Sequence, residues 1–180
     1  MNRLALSVAL VGLVAAPAAF ADLAVGDKAP DFSAQASMAG KSFPFELNKA
    51  LKKGPVVLYF FPAAFTKGCT IEAHDFAEAS DQYKALGATL IGVTAGNIDR
   101  LTEFSVSECR SKFPVAADPD AKIAAEYKSV FAEHPGYSLR TSYVIAPDRK
   151  VLFVYSNLNP DDHVAQTLAA VKAWRDKHPM

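Results

Sequence analysis

The chain has 180 residues with 19 basic and 19 acidic side chains, so its formal net charge at pH 7 is zero. This balance gives no reason to expect nucleic acid or an anionic membrane surface as a partner, because both attract an excess of positive charge. The length allows one domain with a substantial core, and the charge suits a small or neutral substrate.

The first 21 residues have the organisation of a secretory signal peptide. Arg3 supplies a positive charge, residues 4–16 form an apolar run, and Ala19-Phe20-Ala21 matches a small-residue cleavage site. The apolar run is shorter than the roughly 20 residues that a membrane-spanning helix needs. We therefore expect cleavage after Ala21, a domain that covers residues 22–180, and a periplasmic or secreted protein that makes no membrane contact after cleavage.

The first half of the predicted domain contains a hairpin, a strand and a long helix. The hairpin is expected over residues 32–47, with a turn at Gly40-Lys41. The apolar run 56–61 is rich in β-branched and aromatic residues, which indicates a strand buried on both faces. A helix from Thr66 to Leu86 follows. Its inward side chains are predicted to be Ile71, Phe76, Ala79 and Tyr83.

The second half alternates strands and helices and ends with a helix. The predicted strands are residues 89–93, 115–117, 142–145 and 151–155, and the last two form a hairpin across the turn 146–150. The predicted helices are residues 121–127, residues 161–174, and one that runs from Ile98 to before Pro114 with Leu101, Phe104 and Val106 inward. This order predicts an α/β, thioredoxin-like fold with a central mixed sheet flanked by helices and an added N-terminal hairpin.

Cys69 lies where a reactive cysteine is expected. The thiolate, rather than the thiol, is the nucleophile. The first turn of a helix stabilises an anion through its dipole and its free N–H groups. With Thr66 as N-cap, Cys69 is the third helical residue. Gly68 would allow a small substrate to approach the backbone, and Pro62 would limit the access of water.

A cation close to Cys69 would favour the thiolate further. Arg140 is the leading candidate, because it precedes a strand that should lie beside the one ending at Phe61. Lys67 is the alternative cation, and we expect it to be solvated.

The spacing Pro62-x-x-x-Thr66-x-x-Cys69 resembles the active-site pattern of peroxiredoxins. Residues 61–73 resemble the Q-type, or bacterioferritin-comigratory, branch of that family. Residues 139–145 resemble its segment with an active-site arginine, and residues 25–32 resemble the opening of redoxin domains.

The resemblance implies a thiol peroxidase that needs no cofactor. Cys69 would attack the peroxide and become a sulfenic acid, while Thr66 and Arg140 orient the peroxide and Pro62 shields the site. Glu72 would position Arg140 through a charge-assisted hydrogen bond. Alternatively, Glu72 is only a first-turn acid favoured by the helix dipole.

The implied partners are a peroxide and a thioredoxin-like reductant protein, and the implied state is a monomer. Hydrogen peroxide and organic hydroperoxides are both compatible substrates. The aromatic residues Phe60, Phe65 and Tyr143 would favour the organic ones.

The fate of the sulfenic acid depends on Cys109. Many Q-type members carry a second cysteine five residues after the first, but His74 occupies that position here. Cys109 either resolves Cys69 as an intramolecular disulfide, which we favour, or is a buried small hydrophobe, or bonds another subunit. Its polar neighbours predict an accessible thiol, and Arg110 would favour its thiolate.

Two other functions compete with a peroxidase. Copper binding would use Cys69, Cys109 and either His74 or His134. Residues five apart on a helix point about 140° away from each other, so Cys69 and His74 make a poor chelate. A disulfide reductase needs two thiols close in sequence, which the chain lacks.

Overall fold

The computed structural model describes residues 22–179, so the predicted signal peptide lies outside the described residues. Seven strands form one sheet in the order β2-β1-β5-β4-β3-β6-β7. The strands are β1 (Ser33–Met38), β2 (Lys41–Glu46), β3 (Val56–Phe60), β4 (Thr89–Thr94), β5 (Val115–Ala117), β6 (Thr141–Ile145) and β7 (Val151–Ser156). The α-helices are α1 (Leu47–Leu51), α2 (Lys67–Ala85), α3 (Leu101–Ser107), α4 (Lys122–Glu126) and α5 (His163–Lys177), and short 3₁₀ turns cover Ile98–Arg100 and Pro119–Ala121.

The sheet is mixed, as the sequence predicts. Strand β4 is parallel to both β3 and β5, whereas β6 is antiparallel to β3 and β7. The N-terminal hairpin of β1 and β2 extends the sheet beyond β5. Its turn consists of Ala39 and Gly40, both with positive φ, rather than Gly40 and Lys41. The fold is thioredoxin-like, with helices on both faces of the sheet.

Strand β3 separates two hydrophobic cores. All five of its residues are buried, which confirms the prediction of a strand covered on both faces. Val56, Leu58 and Phe60 join one core, and Val57, Tyr59 and Phe61 join the other, which also contains Cys69 and Cys109. Because successive side chains of a strand point to opposite faces, only the second core borders the cysteines.

Two predicted inward side chains face outward. Ile71 is 38% exposed and Val106 is 50% exposed. The buried face of α2 instead includes Cys69, Ala73 and Phe76. Ile71 follows Cys69 by two residues, which is about 200° of helical rotation, and so it lies on the opposite side of the helix. In the described residues, no helix is both long and apolar enough to cross a membrane.

Candidate active site

Cys69 lies in the first turn of α2 and is only 1% exposed. Thr66 is the N-cap with extended backbone, which makes Cys69 the third helical residue, as predicted. The Thr66 hydroxyl donates to the Ala63 carbonyl at 3.0 Å and does not cap the helix. The N–H groups of the first turn therefore remain available to stabilise a negative charge at this position.

The loop before α2 is held by the segment that follows β4. The Thr94 hydroxyl donates to the Pro62 carbonyl at 3.1 Å, and the Asn97 side chain donates to the Ala64 carbonyl at 2.8 Å. Gly96 lies so close to this loop that a Cβ atom there would come within 2.5 Å of the Pro62 carbonyl oxygen. The close approach of these two loops therefore requires glycine at this position.

Phe65 links the same loop to α3. Its backbone has a φ of 62°, which is rare for a bulky residue. Its ring packs edge-on against Phe104, with 5.2 Å between ring centroids, and the Arg100 guanidinium lies 3.9 Å from its centroid. The packing of the ring against α3 compensates for the unfavourable backbone conformation.

The guanidinium of Arg140 reaches Cys69 as the sequence predicts. Its Nη2 lies 3.5 Å from Cys69 Sγ, its Nη1 donates to Glu72 Oε2, and its Nε donates to the Leu158 carbonyl at 2.9 Å. Arg140 is 4% exposed. A Cβ atom on Gly68 would lie 3.0 Å from Nη2, so the space at Gly68 is occupied by the arginine rather than left open for a substrate.

Glu72 is fully buried in the second turn of α2, so its interpretation as a first-turn acid is wrong. Burial raises the pKa of Glu72 to about 8, although the charge and hydrogen bond of Arg140 oppose this. Its Oε1 has no hydrogen-bond partner in the described part of the chain. Glu72 therefore contacts Arg140 through one carboxyl oxygen only.

His163 and Tyr59 also belong to this site, and neither was predicted from the sequence. His163 is buried with its Nδ1 3.7 Å from Glu72 Oε1. Its position begins the buried face of α5, which continues at Thr167 and Val171, and this spacing could have revealed it. Tyr59 stacks on Phe76 at 4.4 Å between ring centroids.

The hydroxyl of Tyr59 has no hydrogen-bond partner among the described residues. Burial raises its pKa well above the ordinary value, with further contributions from Cys109, Glu72 and Cys69. This phenol lies in the same hydrophobic core as both cysteines, with a donor that is free to form a new hydrogen bond.

Cys109 is buried, and the prediction of an accessible thiol is wrong. It follows α3, where its N–H donates to the Phe104 carbonyl at 3.0 Å. Burial raises the pKa of Cys109 well above the ordinary value, which favours the thiol. Arg110 does not favour a thiolate there, because it pairs with Glu78 at 3.0 Å. Both cysteines are free thiols in this structure.

Three polar side-chain contacts, two of them ion pairs, join α2 to the segment that contains Cys109, and we call this set the ionic clasp. The contacts are His74–Glu108 at 2.8 Å, Glu78–Arg110 at 3.0 Å and Asp81–Lys112 at 3.2 Å. The α2 members lie three or four residues apart and so share one face of the helix. The clasp holds the Cys109 segment against the helix that carries Cys69.

A cavity of about 340 Å³ borders Pro62 and is lined by Phe131, His134 and Tyr137 as well. The predicted aromatic residues Phe60 and Tyr143 are not part of it, because both are buried in the core on the other face of the sheet. His134 stacks on Phe131. Among residues 22–179, no three His, Cys, Asp or Glu side chains are grouped so as to hold a metal ion.

Comparisons with known proteins agree with this geometry. The family model described as the AhpC/TSA family matches residues 25–154. A putative peroxiredoxin of Mycobacterium tuberculosis is 33% identical over 135 residues, which cover 73% of this chain and 87% of the relative. The chloroplastic peroxiredoxin Q of Sedum lineare is 29% identical over 160 residues, which cover 87% of this chain and 82% of the relative.

Solved structures of peroxiredoxins have a similar fold. The crystal structure of peroxidoxin BcpB from Mycobacterium tuberculosis superposes with a TM-score of 0.74 at 31% identity, covering 83% of this chain and 96% of that protein. A cysteine-to-serine mutant of PrxQ from Xylella fastidiosa has a TM-score of 0.74 at 20% identity, covering 86% of this chain and 98% of that protein, and supports the fold alone.

Proposed function

The chain belongs to the AhpC/TSA family of peroxiredoxins and is a thiol peroxidase, and from this premise we propose that Cys69 is the nucleophile that attacks the peroxide. The observation that carries the proposal is the 3.5 Å contact between Arg140 Nη2 and Cys69 Sγ in the first turn of α2. A buried guanidinium and a helix N-terminus both stabilise a thiolate.

The charges of the site favour the reactive form of Cys69. One buried cation, Arg140, contacts two acidic groups, Cys69 and Glu72. Ionising both would leave one buried negative charge unbalanced, which is unfavourable. Because burial raises the pKa of Glu72 to about 8, the positive charge of Arg140 is not fully compensated by Glu72 and can stabilise a thiolate on the sulfur that it contacts.

The proposed reaction is a nucleophilic displacement on oxygen. The thiolate of Cys69 forms an S–O bond as the O–O bond of the peroxide breaks, and the leaving oxygen takes up a proton to become water or an alcohol. Arg140 donates to the oxygen on which charge develops. Thr66 Oγ1 donates to the Ala63 carbonyl and keeps its lone pairs free to accept from the peroxide O–H. The ring of Pro62 limits the access of water.

Cys109 is proposed to resolve the sulfenic acid. Its thiol would displace water from Cys69 to form an intramolecular disulfide, which a thioredoxin-like protein then reduces. Both cysteines are buried on separate elements, so the first turn of α2 and the 108–112 segment must open before the sulfurs can bond. The ionic clasp opposes this opening in the reduced protein.

The proposal extends to substrate, assembly and compartment. The cavity beside Pro62 presents the rings of Phe131 and Tyr137, which would accommodate the organic group of a hydroperoxide. We propose a monomer, which is the state that the resemblance to the Q-type branch implies. The N-terminal residues support export with cleavage after Ala21, and hence a periplasmic or secreted enzyme.

Peroxide consumption by the wild type, Cys69→Ser and Cys109→Ser, with dithiothreitol as reductant, tests the proposal. We expect no turnover from Cys69→Ser. We expect Cys109→Ser to retain turnover, because the small reductant can attack the sulfenic acid of Cys69 directly. Full activity in Cys69→Ser would overturn the assignment of the nucleophile.

A further inference from the structure

His163 lies close to Glu72, the partner of Arg140, and has no role in the reaction proposed above. It is the first residue of α5 and is fully buried. Its ring packs edge-on against Tyr155, with 4.8 Å between centroids. Both ring nitrogens have partners: Nε2 lies 2.9 Å from the Asn157 carbonyl oxygen, and Nδ1 lies 2.8 Å from Ser142 Oγ. A buried histidine with two specific partners beside a reactive site requires an explanation.

The partners of His163 determine its tautomer. A carbonyl oxygen can only accept, so Nε2 carries the proton and donates to Asn157. In the neutral ring Nδ1 is then an acceptor, and Ser142 donates its hydroxyl proton to it. This arrangement favours the neutral imidazole, because a donor at Nδ1 competes with protonation.

The Asn157 carbonyl belongs to the turn that holds Arg140. The N–H of Asn157 donates to the Arg140 carbonyl at 3.1 Å, and the Leu158 carbonyl accepts from Arg140 Nε at 2.9 Å. His163 donates to the Asn157 carbonyl of the same turn. The imidazole therefore supports the turn that fixes both the backbone and the side chain of Arg140.

The charge of His163 matters because Glu72 has one unpaired oxygen. The charged or titratable groups around the ring are Glu72 from α2, Arg140, Tyr155 from β7 and Asp162 beside it. Burial, together with the charge of Arg140, lowers the pKa of His163 to about 4. A protonated ring would bring an N–H donor within 3.7 Å of Glu72 Oε1 and would compete with Arg140 for the carboxyl group.

We propose that His163 is a positioning residue of the peroxidase, which holds Arg140 against Cys69 by supporting the 157–158 turn and by leaving Glu72 to Arg140 alone. The inference rests on the proposed function of Cys69 and adds a residue from α5 to it. This role requires an N–H at Nε2 and a neutral ring. Each of these two features can be removed by a separate substitution.

The first requirement is tested with His163→Gln and His163→Leu. Glutamine can place an N–H near the Nε2 position, whereas leucine fills space without a donor. The measurement is the second-order rate constant for oxidation of Cys69 by hydrogen peroxide in a single turnover, together with urea unfolding. We expect a ten- to hundredfold loss, roughly, in the leucine variant, because a small misplacement of a catalytic group has this effect. The glutamine variant should retain most of the wild-type rate.

The second requirement is tested with Ser142→Ala, which keeps the imidazole but removes the donor to Nδ1. His163 should then take up a proton at higher pH than in the wild type. The ratio of the variant rate to the wild-type rate should fall by about threefold between about pH 7.5 and about pH 4.5, which corresponds to a rise of about one unit in the pKa of His163 from about 4. Ser129→Ala is the matched control, because Ser129 is equally buried but bonds Tyr143 on the other face of the sheet. Its ratio should not change with pH.

The outcomes separate this inference from the proposed function. A folded leucine variant that reacts at the wild-type rate, or a glutamine variant no better than leucine, overturns the positioning role. If the leucine variant does not fold, the Ser142→Ala ratio decides, and a ratio independent of pH overturns the role. Activity retained in Cys69→Ser would instead show that the proposed function itself is wrong.

Discussion

Arg140 Nη2 lies 3.5 Å from Cys69 Sγ although the two residues are 71 positions apart in the chain. The contact follows from the sheet, because Phe60 at the end of β3 pairs with Thr141 at the start of β6. The loop that leads to Cys69 and the residue before β6 therefore emerge at the same edge. The antiparallel register of two strands thus places the cation beside the nucleophile.

Arg140→Lys should lower the rate of Cys69 oxidation by about a hundredfold. A lysine keeps the charge, but its ammonium group cannot bond the Cys69 sulfur, Glu72 and the Leu158 carbonyl in one planar arrangement. The rate can be measured by competition with a haem peroxidase for hydrogen peroxide. Arg149→Lys is the control, because Arg149, like Arg140, donates to a backbone carbonyl, that of Ala29, but does so away from the site. Equal rates in the two variants would contradict the prediction.

Glu72 should make the protein less stable as the pH rises. Its folded-state pKa of about 8 lies above its ordinary value of 4.5, so the folded protein keeps a proton that the unfolded chain releases. This contribution to stability is complete below about pH 4.5 and is lost as the pH rises through about 8. Urea unfolding of the wild type and Glu72→Gln can be measured at about pH 5, 7 and 8.5. The free energy of unfolding of the wild type should fall relative to that of the variant as the pH rises.

The control for that experiment is Glu126→Gln, which replaces an exposed glutamate on α4. Its unfolding free energy should run parallel to that of the wild type across the same pH values. If Glu72→Gln also runs parallel, Glu72 does not keep its proton in the folded protein.

Much of the site could be predicted because its signals are local. The buried run of β3 and the position of Thr66 before a helix define where Cys69 lies. The position of Arg140 follows from one further step, the pairing of two strands. These signals depend on hydrophobic periodicity and capping, which neighbouring residues determine.

The burial of Cys109 could not be predicted in this way. Its neighbours are polar, but Glu108 and Arg110 point away to form the ionic clasp. Arg110 and Ser111 both have positive φ, and this backbone turn directs Cys109 inward. The 3.7 Å approach of His163 Nδ1 to Glu72 Oε1 likewise brings together two helices far apart in sequence. Such contacts depend on tertiary packing rather than local composition.

Peroxide treatment should produce a disulfide between Cys69 and Cys109. Mass spectrometry of peptides from the oxidised wild type should recover this link, and Cys109→Ser should instead give a dimedone adduct at Cys69. We expect the link between the two cysteines because Cys109 lies in the same hydrophobic core as Cys69. A wild type that accumulates the dimedone-reactive acid without the link would rule out the resolving role.

Weakening the ionic clasp should accelerate disulfide formation. Each exposed ion pair contributes about 0.2–1 kcal/mol, so the double variant Glu78→Gln/Asp81→Asn, which removes two pairs, should form the disulfide about two- to thirtyfold faster at low salt. Salt should reduce the difference, because it screens the same pairs in the wild type. Stopped-flow quenching followed by thiol alkylation measures the rate. Glu46→Gln, which breaks the exposed pair with Lys49 on the hairpin side, should have no effect.

The cavity beside Pro62 should influence the choice of peroxide. Tyr137 is 46% exposed and lines this cavity. Tyr137→Ala should lower kcat/KM for cumene hydroperoxide by about three- to tenfold while leaving hydrogen peroxide unaffected, because only the larger substrate contacts the ring. Val25→Ala, a substitution at an exposed apolar residue elsewhere, is the control. An equal loss for both peroxides would indicate a general defect rather than a contact with the organic group.

The ring of Phe65 has a consequence for the resolving step. Phe65 belongs to the loop that enters the Cys69 turn, and it packs on Phe104, whose carbonyl accepts the N–H of Cys109. If the two segments opened independently, each about 1% of the time, both would be open together only about 0.01% of the time. Because the contact between Phe65 and Phe104 links the two segments, they open together. The probability that both are open then stays close to the probability that either one is open. The left-handed backbone of Phe65 favours that event further, because unwinding relieves it.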